Sequence, residues 1–398
     1  MSKKLVQINV TCHGSTGRIM NQIQKIVSQN GWEAYSFYGR GRSTNDKCIK
    51  IGNKLDVLFH VFITRLFDLH GHASKRATRN MIKKIKSIDP EVIQLHNLHG
   101  YYLNIAILFK YLKTCNKKII WTLHDCWAFT GHCTHFTYPK CDKWKKEECS
   151  DCPRKKDYPA SVFIDNSGKE IKNKKKLFTG IKNLTIVTPS EWLKELVQQS
   201  FLNEYEIKVI NHGIDLNIFR PLNNINVKKI YNIPDDRKII LGVASVWSNN
   251  KGLDDFIELS KYIDDKYCIV LVGLTKKQIK KLPDNIIGIK KTENIEELVN
   301  LYSVAHILFN PSREETFSLV TIEAMACGTP VICYNNSAIN EFSKYELCKT
   351  LDINDDNKFN KIIKVCEESK KTVENFEKYD INNIGKKYIE LYQTDKNK

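Results

Sequence analysis

Short apolar runs alternate with amphipathic stretches along nearly the whole chain. Residues 4–10 form an apolar run of strand length, and residues 17–29 follow with their isoleucines and a valine on one helical face. The same order returns at residues 238–244 and 252–262. Fully apolar strands that are each followed by a helix are typical of parallel sheets covered on both faces. The pattern therefore predicts an α/β fold built from doubly wound parallel sheets.

The length of the chain favours two domains. It has 398 residues, of which 42% are hydrophobic, so it can bury large cores but is long for a single one. Residues 209–221 have the pattern of a strand that enters a Gly-containing turn and an irregular connector. We predict a first domain over residues 1–205, a second over residues 206–378, and a final helical segment over residues 379–398.

The net charge of +17 is placed unevenly along the chain. Residues 1–195 carry +18, whereas residues 196–398 carry −1. A field of this sign attracts nucleic acid, anionic lipid head groups or phosphorylated substrates. The alternative is a solvated, lysine-rich surface, which explains the uneven placement poorly.

Residues 1–4 lead directly into the first predicted strand without an apolar leader, so we expect a cytoplasmic protein. The longest apolar stretch, residues 55–67, is interrupted by Asp56, His60 and Arg65 and is too short to span a bilayer. We interpret it as an ordinary packed helix. The 13 Cys of a cytoplasmic chain indicate buried thiols or metal ligands rather than disulfides.

Two carboxylates eight positions apart, Glu315 and Glu323, give the strongest functional signal. Glu315 follows a predicted strand over residues 306–310, and Glu323 lies in a helix predicted from about residue 318 to 327. Backbone N–H groups at the start of this helix favour a phosphate. These groups belong to Thr316, Phe317, Ser318 and Leu319. The arrangement matches the sugar, diphosphate and ribose of a nucleotide-sugar; alternatively, Glu315 caps the helix and Glu323 is solvated.

Several stretches together resemble family 4 glycosyltransferases. Residues 313–332 resemble the E-x7-E signature of that family, residues 209–221 its NGID crossover, and residues 121–125 its T-x-H-D segment. The resemblance extends from the first strand to the final helix. It implies a GT-B fold, in which two Rossmann-like domains with parallel sheets face each other across a crevice and the last helix crosses back to the first domain.

The resemblance also implies roles for matching residues. Glu323 would bind the ribose, Glu315 the donor sugar, and His124 would help to orient that sugar. Lys251 aligns with the lysine of the family's G-R-L-x-x-x-K-G loop and would bind the diphosphate.

One residue departs from this loop pattern, because the expected arginine is Val246. Either Lys251 would then carry more of the diphosphate binding, or Arg313 or a cation of the first domain would replace the missing arginine. A D-x-D motif is missing from the predicted donor loops, so we expect metal-independent transfer, with retention of configuration implied by the family.

Polar residues follow successive predicted strands of the acceptor-side first domain. Residues 11–18 form a small-residue loop in which Gly14 and Gly17 allow close approach to a phosphate or an acceptor sugar. His96 and His124 follow two later strands. Parallel sheets bind ligands at this edge. The alternative for His124 is a structural histidine hydrogen-bonded by Asp125.

A Cys-rich insert over about residues 126–158 interrupts the first domain. It contains four candidate ligands for a structural zinc: Cys133, Cys141, Cys149 and Cys152. His132 and His135 are further candidates, and packed free thiols are the alternative. Residues 127–133 and the closing Cys-Pro resemble a subgroup of bacterial exopolysaccharide and capsule glycosyltransferases, colanic-acid types among them.

The sequence therefore predicts a glycosyltransferase that uses a nucleotide-sugar donor and a lipid-linked or oligosaccharide acceptor of a surface polysaccharide. No cofactor is expected in catalysis, and the basic first half predicts peripheral association with the anionic inner face of the plasma membrane. A nucleotide-sugar epimerase or phosphorylase of the same fold is one alternative. A basic nucleic-acid-binding protein with a zinc knuckle is the other, although it leaves Glu315 and Glu323 unused.

Overall fold

The structure, a computed structural model, describes residues 2–222 and 226–394. The chain divides into two compact units: the first contains the residues up to Asn211 and those from Ile384 onward, and the second is His212–Asn383. The division falls six residues beyond the predicted one because Glu206–Val209 forms a strand that pairs with Leu184–Thr188 of the first unit.

The first unit is built on a seven-stranded sheet in which every neighbouring pair is parallel. Its strands are β1 (Lys4–Thr11), β2 (Glu33–Arg40), β3 (Cys48–Lys50), β4 (Val92–Leu95), β5 (Lys118–Thr122), β6 (Leu184–Thr188) and β7 (Glu206–Val209). Its helices are α1 (Gly14–Gln29), α2 (Lys54–Phe67), α3 (Lys75–Ile88), α4 (Ile105–Leu112), α5 (Ser167–Phe178) and α6 (Glu191–Gln198). The strand order is β3-β2-β1-β4-β5-β6-β7.

The core of this unit lies between the sheet and its helices. Phe109 of α4, Trp121 of β5 and Phe178 of α5 pack together, with ring centroids 4.3–5.4 Å apart. The strand order reverses between β1 and β4, which are direct neighbours. The loops that follow these two strands therefore diverge from one edge of the sheet, where doubly wound folds bind ligands.

The second unit repeats the architecture with six parallel strands. Its strands are β8 (Lys238–Val243), β9 (Tyr267–Val272), β10 (Ile286–Ile289), β11 (Ile307–Asn310), β12 (Val331–Tyr334) and β13 (Cys348–Leu351). Its helices are α7 (Asn226–Ile230), α8 (Leu253–Leu259), α9 (Lys276–Ile279), α10 (Ile295–Val304), α11 (Leu319–Ala326) and α12 (Lys358–Glu368). The order β10-β9-β8-β11-β12-β13 reverses between β8 and β11. The predicted fold class of two doubly wound parallel sheets is confirmed.

The final helix, α13 (Ile381–Gln393), belongs to the first unit from Ile384 onward. The Tyr392 hydroxyl donates to Gln94 Oε1 over 2.5 Å, and the Tyr388 hydroxyl lies 3.4 Å from Thr122 Oγ1. Both contacted residues belong to central strands of the first sheet. The last segment of the chain is therefore an integral layer of that unit.

Helix α2 differs from the packed helix that the apolar stretch predicts. Its buried residues are His60 and Thr64, while several of its large apolar side chains are exposed. The expectation of an ordinary packed helix is wrong for this face. Within residues 2–222 and 226–394, the helices all fall short of the length and apolar character that a bilayer span requires.

Candidate functional site

Two loops of the second unit meet where its strand order reverses. One follows β8 and contains Lys251, and the other follows β11 and contains Arg313. The Arg313 backbone N–H donates to the Asn250 carbonyl over 2.8 Å. Gly252 approaches Pro311 so closely that a Cβ at this position would lie 2.6 Å from the proline Cβ. The two loops therefore form one continuous surface at the ligand-binding edge of the sheet.

Lys251 and Glu315 are paired in this surface. Lys251 Nζ donates to Glu315 Oε1 over 2.6 Å. The lysine side chain is 37% exposed and the glutamate side chain 15%, so both are accessible from solvent. A second contact fixes the glutamate backbone, since its N–H donates to Ser337 Oγ over 3.1 Å. The structure thus brings together the residues predicted to bind the diphosphate and the sugar.

Glu323 lies within α11 and is only 2% exposed. The Tyr302 hydroxyl of α10 donates to Glu323 Oε2 over 3.0 Å. The alternative of a solvated helix residue is therefore wrong. The capping alternative for Glu315 is also wrong, because Ser318 is the N-cap of α11 and its Oγ accepts the Thr321 N–H over 3.4 Å.

The predicted phosphate-binding residues lead into the first turn of α11. Thr316 and Phe317 precede the Ser318 cap, and Leu319 is the first helical residue. The Phe317 ring packs against Phe342 with centroids 5.4 Å apart, so this side chain anchors the loop. Backbone N–H groups at the helix start, rather than these side chains, are the groups suited to a phosphate.

Arg313 is engaged by a buried acidic partner that sequence reasoning missed. Its Nη2 donates to Asp255 Oδ2 over 2.6 Å, and the Tyr334 hydroxyl donates to Asp255 Oδ1 over 2.7 Å. Burial and the Asp255 charge raise the pKa of Tyr334, which keeps that donor protonated. Asp255 carried no local sequence signal, because its partners lie far along the chain.

The predicted glycine loop of the first unit follows β1. Gly14 is the first residue of α1, and Gly17 lies three residues later in the same helix. A Cβ on Gly17 would lie 2.5 Å from the Cys12 carbonyl carbon. Glycine at this position therefore permits α1 to start directly against the loop.

His124 lies beyond β5 and is hydrogen-bonded to His96, which follows β4. His124 Nε2 lies 3.0 Å from His96 Nδ1, and His96 Nε2 lies 3.2 Å from Gln7 Oε1. Because the amide oxygen only accepts, His96 Nε2 carries a proton and its Nδ1 accepts from His124 Nε2. Burial lowers the pKa of His124 to about 4 and holds that of His96 well below its ordinary value, so both rings are neutral near pH 7.

Asp125 pairs with a different histidine from the one that its sequence position indicates. His99 Nε2 lies 2.6 Å from Asp125 Oδ2, and the Trp127 N–H donates to Oδ1 over 2.9 Å. Burial alone would raise the pKa of Asp125, but the His99 charge and hydrogen bond lower it to about 2. Asp125 therefore organises the loop after β5 through these two contacts.

The four candidate zinc ligands line one small cavity of the first unit. Its walls include Cys133, Cys141, Cys149 and Cys152 together with His132. The thiols of Cys133 and Cys152 are hydrogen-bonded to each other. As the side chains stand, no group of three or more His, Cys, Asp or Glu residues among those described forms a metal site.

His132 and a buried lysine complete the surroundings of this cavity. His132 Nδ1 lies 2.7 Å from Asp68 Oδ1, while its buried Nε2 has no hydrogen-bond partner among the described residues. Lys174 Nζ donates to the carbonyls of Trp127 and Thr130 over 2.8 and 3.0 Å. Burial lowers the pKa of Lys174 to about 8, and the nearby Glu170 carboxylate is the main group that opposes this shift.

The two Rossmann-like units place this chain in the GT-B class, and its second unit has a cation, a carboxylate and a helix start at the edge where nucleotides bind. Residues 223–382 match the family model of glycosyl transferases group 1. Over 357 residues the chain is 24% identical to a protein named for colanic acid biosynthesis, the glycosyl transferase WcaC of Escherichia coli (strain K12), covering 85% of this chain and 84% of that protein.

Two solved structures share the fold over almost the whole chain. Sucrose-phosphate synthase from Thermosynechococcus elongatus has a TM-score of 0.71 at 15% identity and covers 98% of both chains. Anabaena HepE, solved with UDP and glucose, has a TM-score of 0.65 at 13% identity, over 99% of this chain and 100% of that one. The chain carries a glycosyl transferases group 1 domain, and its predicted resemblance to family 4 glycosyltransferases of the GT-B fold is confirmed.

Proposed function

We propose that the enzyme transfers a sugar from a nucleotide-sugar to a lipid-linked or oligosaccharide acceptor of a surface polysaccharide, with retention at the anomeric carbon. The observation that carries the proposal is the Lys251–Glu315 pair beside the start of α11. In this proposal, the cation and the helix N–H groups would bind the diphosphate, and the neighbouring carboxylate would bind the sugar hydroxyls. The similarity to WcaC supports the acceptor class, and the likeness to HepE supports the donor class.

Donor binding would exchange the partners of this pair. Lys251 would turn from Glu315 to the diphosphate, and Glu315 would accept hydrogen bonds from the sugar. An ionised carboxylate only accepts and sugar hydroxyls donate, so the exchange leaves neither charge unpaired. Glu323, held by Tyr302, would accept from the ribose hydroxyls.

In the transfer step the bond between the anomeric carbon and the phosphate oxygen breaks. The acceptor oxygen bonds to the same face of that carbon, and its proton passes to the departing phosphate oxygen. Lys251 and the dipole of α11 stabilise the charge that develops on the diphosphate. The resemblance assigns His124 the positioning of the reacting sugar, and its neutral ring suits a hydrogen bond rather than a charge contact.

The test replaces each carboxylate by its amide. Glu315→Gln and Glu323→Gln should each lower the donor turnover by at least about tenfold, because each loses a hydrogen bond to a charged acceptor worth about 1.5 to 3 kcal/mol. Glu346→Gln, an exposed change in the same unit, is the matched control. Thermal unfolding of each variant verifies that it is folded. Full turnover in both site variants would contradict the assignment of Glu315 and Glu323 to the donor site.

One assay separates transfer from the other reactions that this fold supports. Nucleotide release is measured with and without an oligosaccharide acceptor, and inorganic phosphate is supplied in a third reaction. Release that requires the acceptor supports a transferase. Acceptor-independent conversion of the donor indicates an epimerase, and phosphate-dependent cleavage indicates a phosphorylase.

We also propose that the enzyme acts at the cytoplasmic face of the plasma membrane, where a lipid-linked acceptor would be found. The +18 charge of residues 1–195 supports this location, because cations near an anionic leaflet contribute about 1 kcal/mol each. Such binding is reversible and weakens when salt shortens the Debye length.

A structural zinc in the first unit is a further part of the proposal. Its support is the cavity shared by Cys133, Cys141, Cys149 and Cys152 and the unpartnered Nε2 of His132. Metal-binding histidines often have a carboxylate on the second ring nitrogen, as Asp68 provides here. Binding would require Cys133 and Cys152 to rotate out of their mutual hydrogen bond.

A further inference from the structure

Helix α2 is oriented with its polar face towards the protein. Its two buried residues, His60 and Thr64, are both polar and fully covered. His60 Nδ1 lies 2.9 Å from Ser74 Oγ, and its Nε2 accepts the Gly71 N–H over 3.0 Å. Thr64 Oγ1 donates to the His60 carbonyl over 2.9 Å. The Thr64 bond lies within the helix, whereas the two His60 contacts reach residues outside it. His60 therefore anchors this face of α2 to the protein through hydrogen bonds.

The opposite face presents a continuous apolar stripe to solvent. Leu55, Leu58, Phe59 and Phe62 are 74%, 63%, 59% and 55% exposed, and they recur at the i, i+3, i+4, i+7 spacing of one helical face. Single exposed apolar residues are ordinary, but a contiguous stripe of large ones marks an interaction surface.

A neighbouring loop extends this stripe. Val162, Phe163 and Ile164 are 51%, 71% and 41% exposed. The Val162 N–H donates to the Arg65 carbonyl over 2.8 Å, which joins the loop to the end of α2. We call the apolar side chains of α2 and this loop the α2 surface: Leu55, Leu58, Phe59, Phe62, Phe67, Val162, Phe163 and Ile164.

Cations flank both ends of the α2 surface. Lys54 lies at the start of α2, beside a cleft of about 460 Å³ whose lining includes Lys50, Arg76 and Lys84. Exposed Arg65 lies near the other end of the helix.

The carboxylates near the α2 surface are engaged within the fold. Asp56 accepts the Asn53 N–H in a capping box over 2.9 Å. Asp68 binds His132, and Asp165 accepts the Cys152 N–H over 2.7 Å. The five named cations outnumber these three carboxylates, so the named charges around the apolar stripe sum to a positive value.

We propose that the α2 surface docks on an anionic lipid bilayer, with its apolar side chains in the acyl boundary and the flanking cations on lipid phosphates. An apolar stripe bordered by Lys and Arg complements a bilayer, whose interior is apolar and whose cytoplasmic leaflet is negative. A protein partner with an acidic rim is the competing occupant. The inference deepens the proposed action on a lipid-linked acceptor, but docking can be measured without any sugar transfer.

The test uses the full chain and vesicles of phosphatidylcholine, alone or mixed with phosphatidylglycerol. Wild-type protein should sediment with the mixed vesicles and lose binding in high salt. The double variant Leu58→Ser with Phe62→Ser should reduce the vesicle partition coefficient at least about tenfold, since two apolar side chains that enter the bilayer are lost. Its matched control is Ile230→Ser with Val373→Ser, two exposed apolar residues of the second unit, 55% and 79% exposed, which should bind as wild type does.

A charge variant separates the two components of docking. Arg76→Gln with Lys84→Gln should lower binding to the mixed vesicles and flatten its salt dependence, while the apolar variant keeps the salt dependence of its residual binding. Equal sedimentation of the apolar variant and its control would overturn the proposal. So would vesicle-independent dimers of the wild type that the apolar variant abolishes, because the occupant would then be a second copy.

The proposed sugar transfer and the proposed membrane docking can be contradicted by different results. Donor turnover on a water-soluble oligosaccharide acceptor should be unchanged in the apolar variant, because α2 holds none of the donor-binding residues. Loss of vesicle binding with retained turnover supports membrane docking. Absence of turnover in wild type with intact vesicle binding would contradict the proposed transfer but leave the docking surface standing.

Discussion

At the scale of single residues, Lys251 is the diphosphate partner with the clearest prediction. Lys251→Ala should weaken nucleoside-diphosphate binding about tenfold or more, because a charge-assisted hydrogen bond worth about 1.5 to 3 kcal/mol is lost. Calorimetric titration with UDP, GDP and ADP measures this change and identifies the preferred base. The variant also leaves the Glu315 carboxylate without its 2.6 Å partner, so turnover should fall as well.

The matched control for this variant is Lys261→Ala. Lys261 is 64% exposed and pairs with Glu258 on the surface of the same unit. Its removal should change nucleotide affinity little, because exposed ion pairs contribute little. If both variants bound the nucleotide as tightly as wild type, Lys251 would have no part in the site.

Arg313 binds Asp255 within the second unit, a structural role that the sequence analysis did not predict. The sequence suggested that it replaces the arginine missing at Val246, yet its guanidinium already binds Asp255 over 2.6 Å. This contact was not predictable, because it joins positions 58 residues apart and depends on how β8 and β11 bring their loops together. In contrast, the family resemblance assigned Lys251 and Glu315 to one donor site, and the structure pairs them over 2.6 Å.

At the scale of elements, apolar periodicity was sufficient to predict the sheets but not the orientation of α2. The apolar run at residues 4–10 and the amphipathic stretch at residues 17–29 appear as β1 and α1. A fully apolar strand is stable only in the interior of a sheet that is covered on both faces, so its position is predictable. The amphipathic pattern of α2 shows which residues share a face but not which face meets the protein. His60 and Thr64 point inward because Ser74 and the Gly71 N–H satisfy the histidine there.

The Cys-rich insert is the element whose chemistry is most directly measurable. If it holds zinc, protein purified without added metal should contain about one equivalent by elemental analysis, because four thiols and a histidine supply more ligands than a tetrahedral site needs. Less than about a tenth of an equivalent would leave packed thiols. His132→Ala reports whether the histidine is a ligand, through its effect on metal retention during dialysis against a chelator. Chelation should also destabilise the first unit more than the second.

At the scale of the whole molecule, the two units differ in charge and in their surfaces. The first half of the chain carries the positive charge and the α2 surface, whereas the second unit carries the Lys251 and Glu315 pair. We therefore propose that the first unit recognises the acceptor and the membrane, and that the second unit recognises the donor. Vesicle binding and nucleotide binding can therefore be measured independently of each other.

The first unit should also lose stability in mild acid, because several of its histidines are buried and neutral. Burial lowers the pKa of His60 and His124 to about 4 and holds those of His70 and His96 well below their ordinary value. The unfolded chain binds these protons near pH 6.5 and the folded chain does not. The contribution of these neutral histidines to the free energy of unfolding is therefore complete above about pH 6.5 and is lost as the pH falls towards 4.

Between pH 7 and pH 5, His60 and His124 should together remove up to about 4 kcal/mol from the free energy of unfolding, at about 1.4 kcal/mol per pKa unit for each. Five of the six Trp lie in the first unit, at positions 32, 121, 127, 144 and 192, so urea unfolding followed by tryptophan fluorescence reports mainly on that unit. The midpoint should fall sharply between these pH values. His60→Gln should unfold more easily at pH 7 but show a smaller fall, since one of the titrating groups is gone. An unchanged wild-type midpoint would contradict the burial of neutral histidines in this unit.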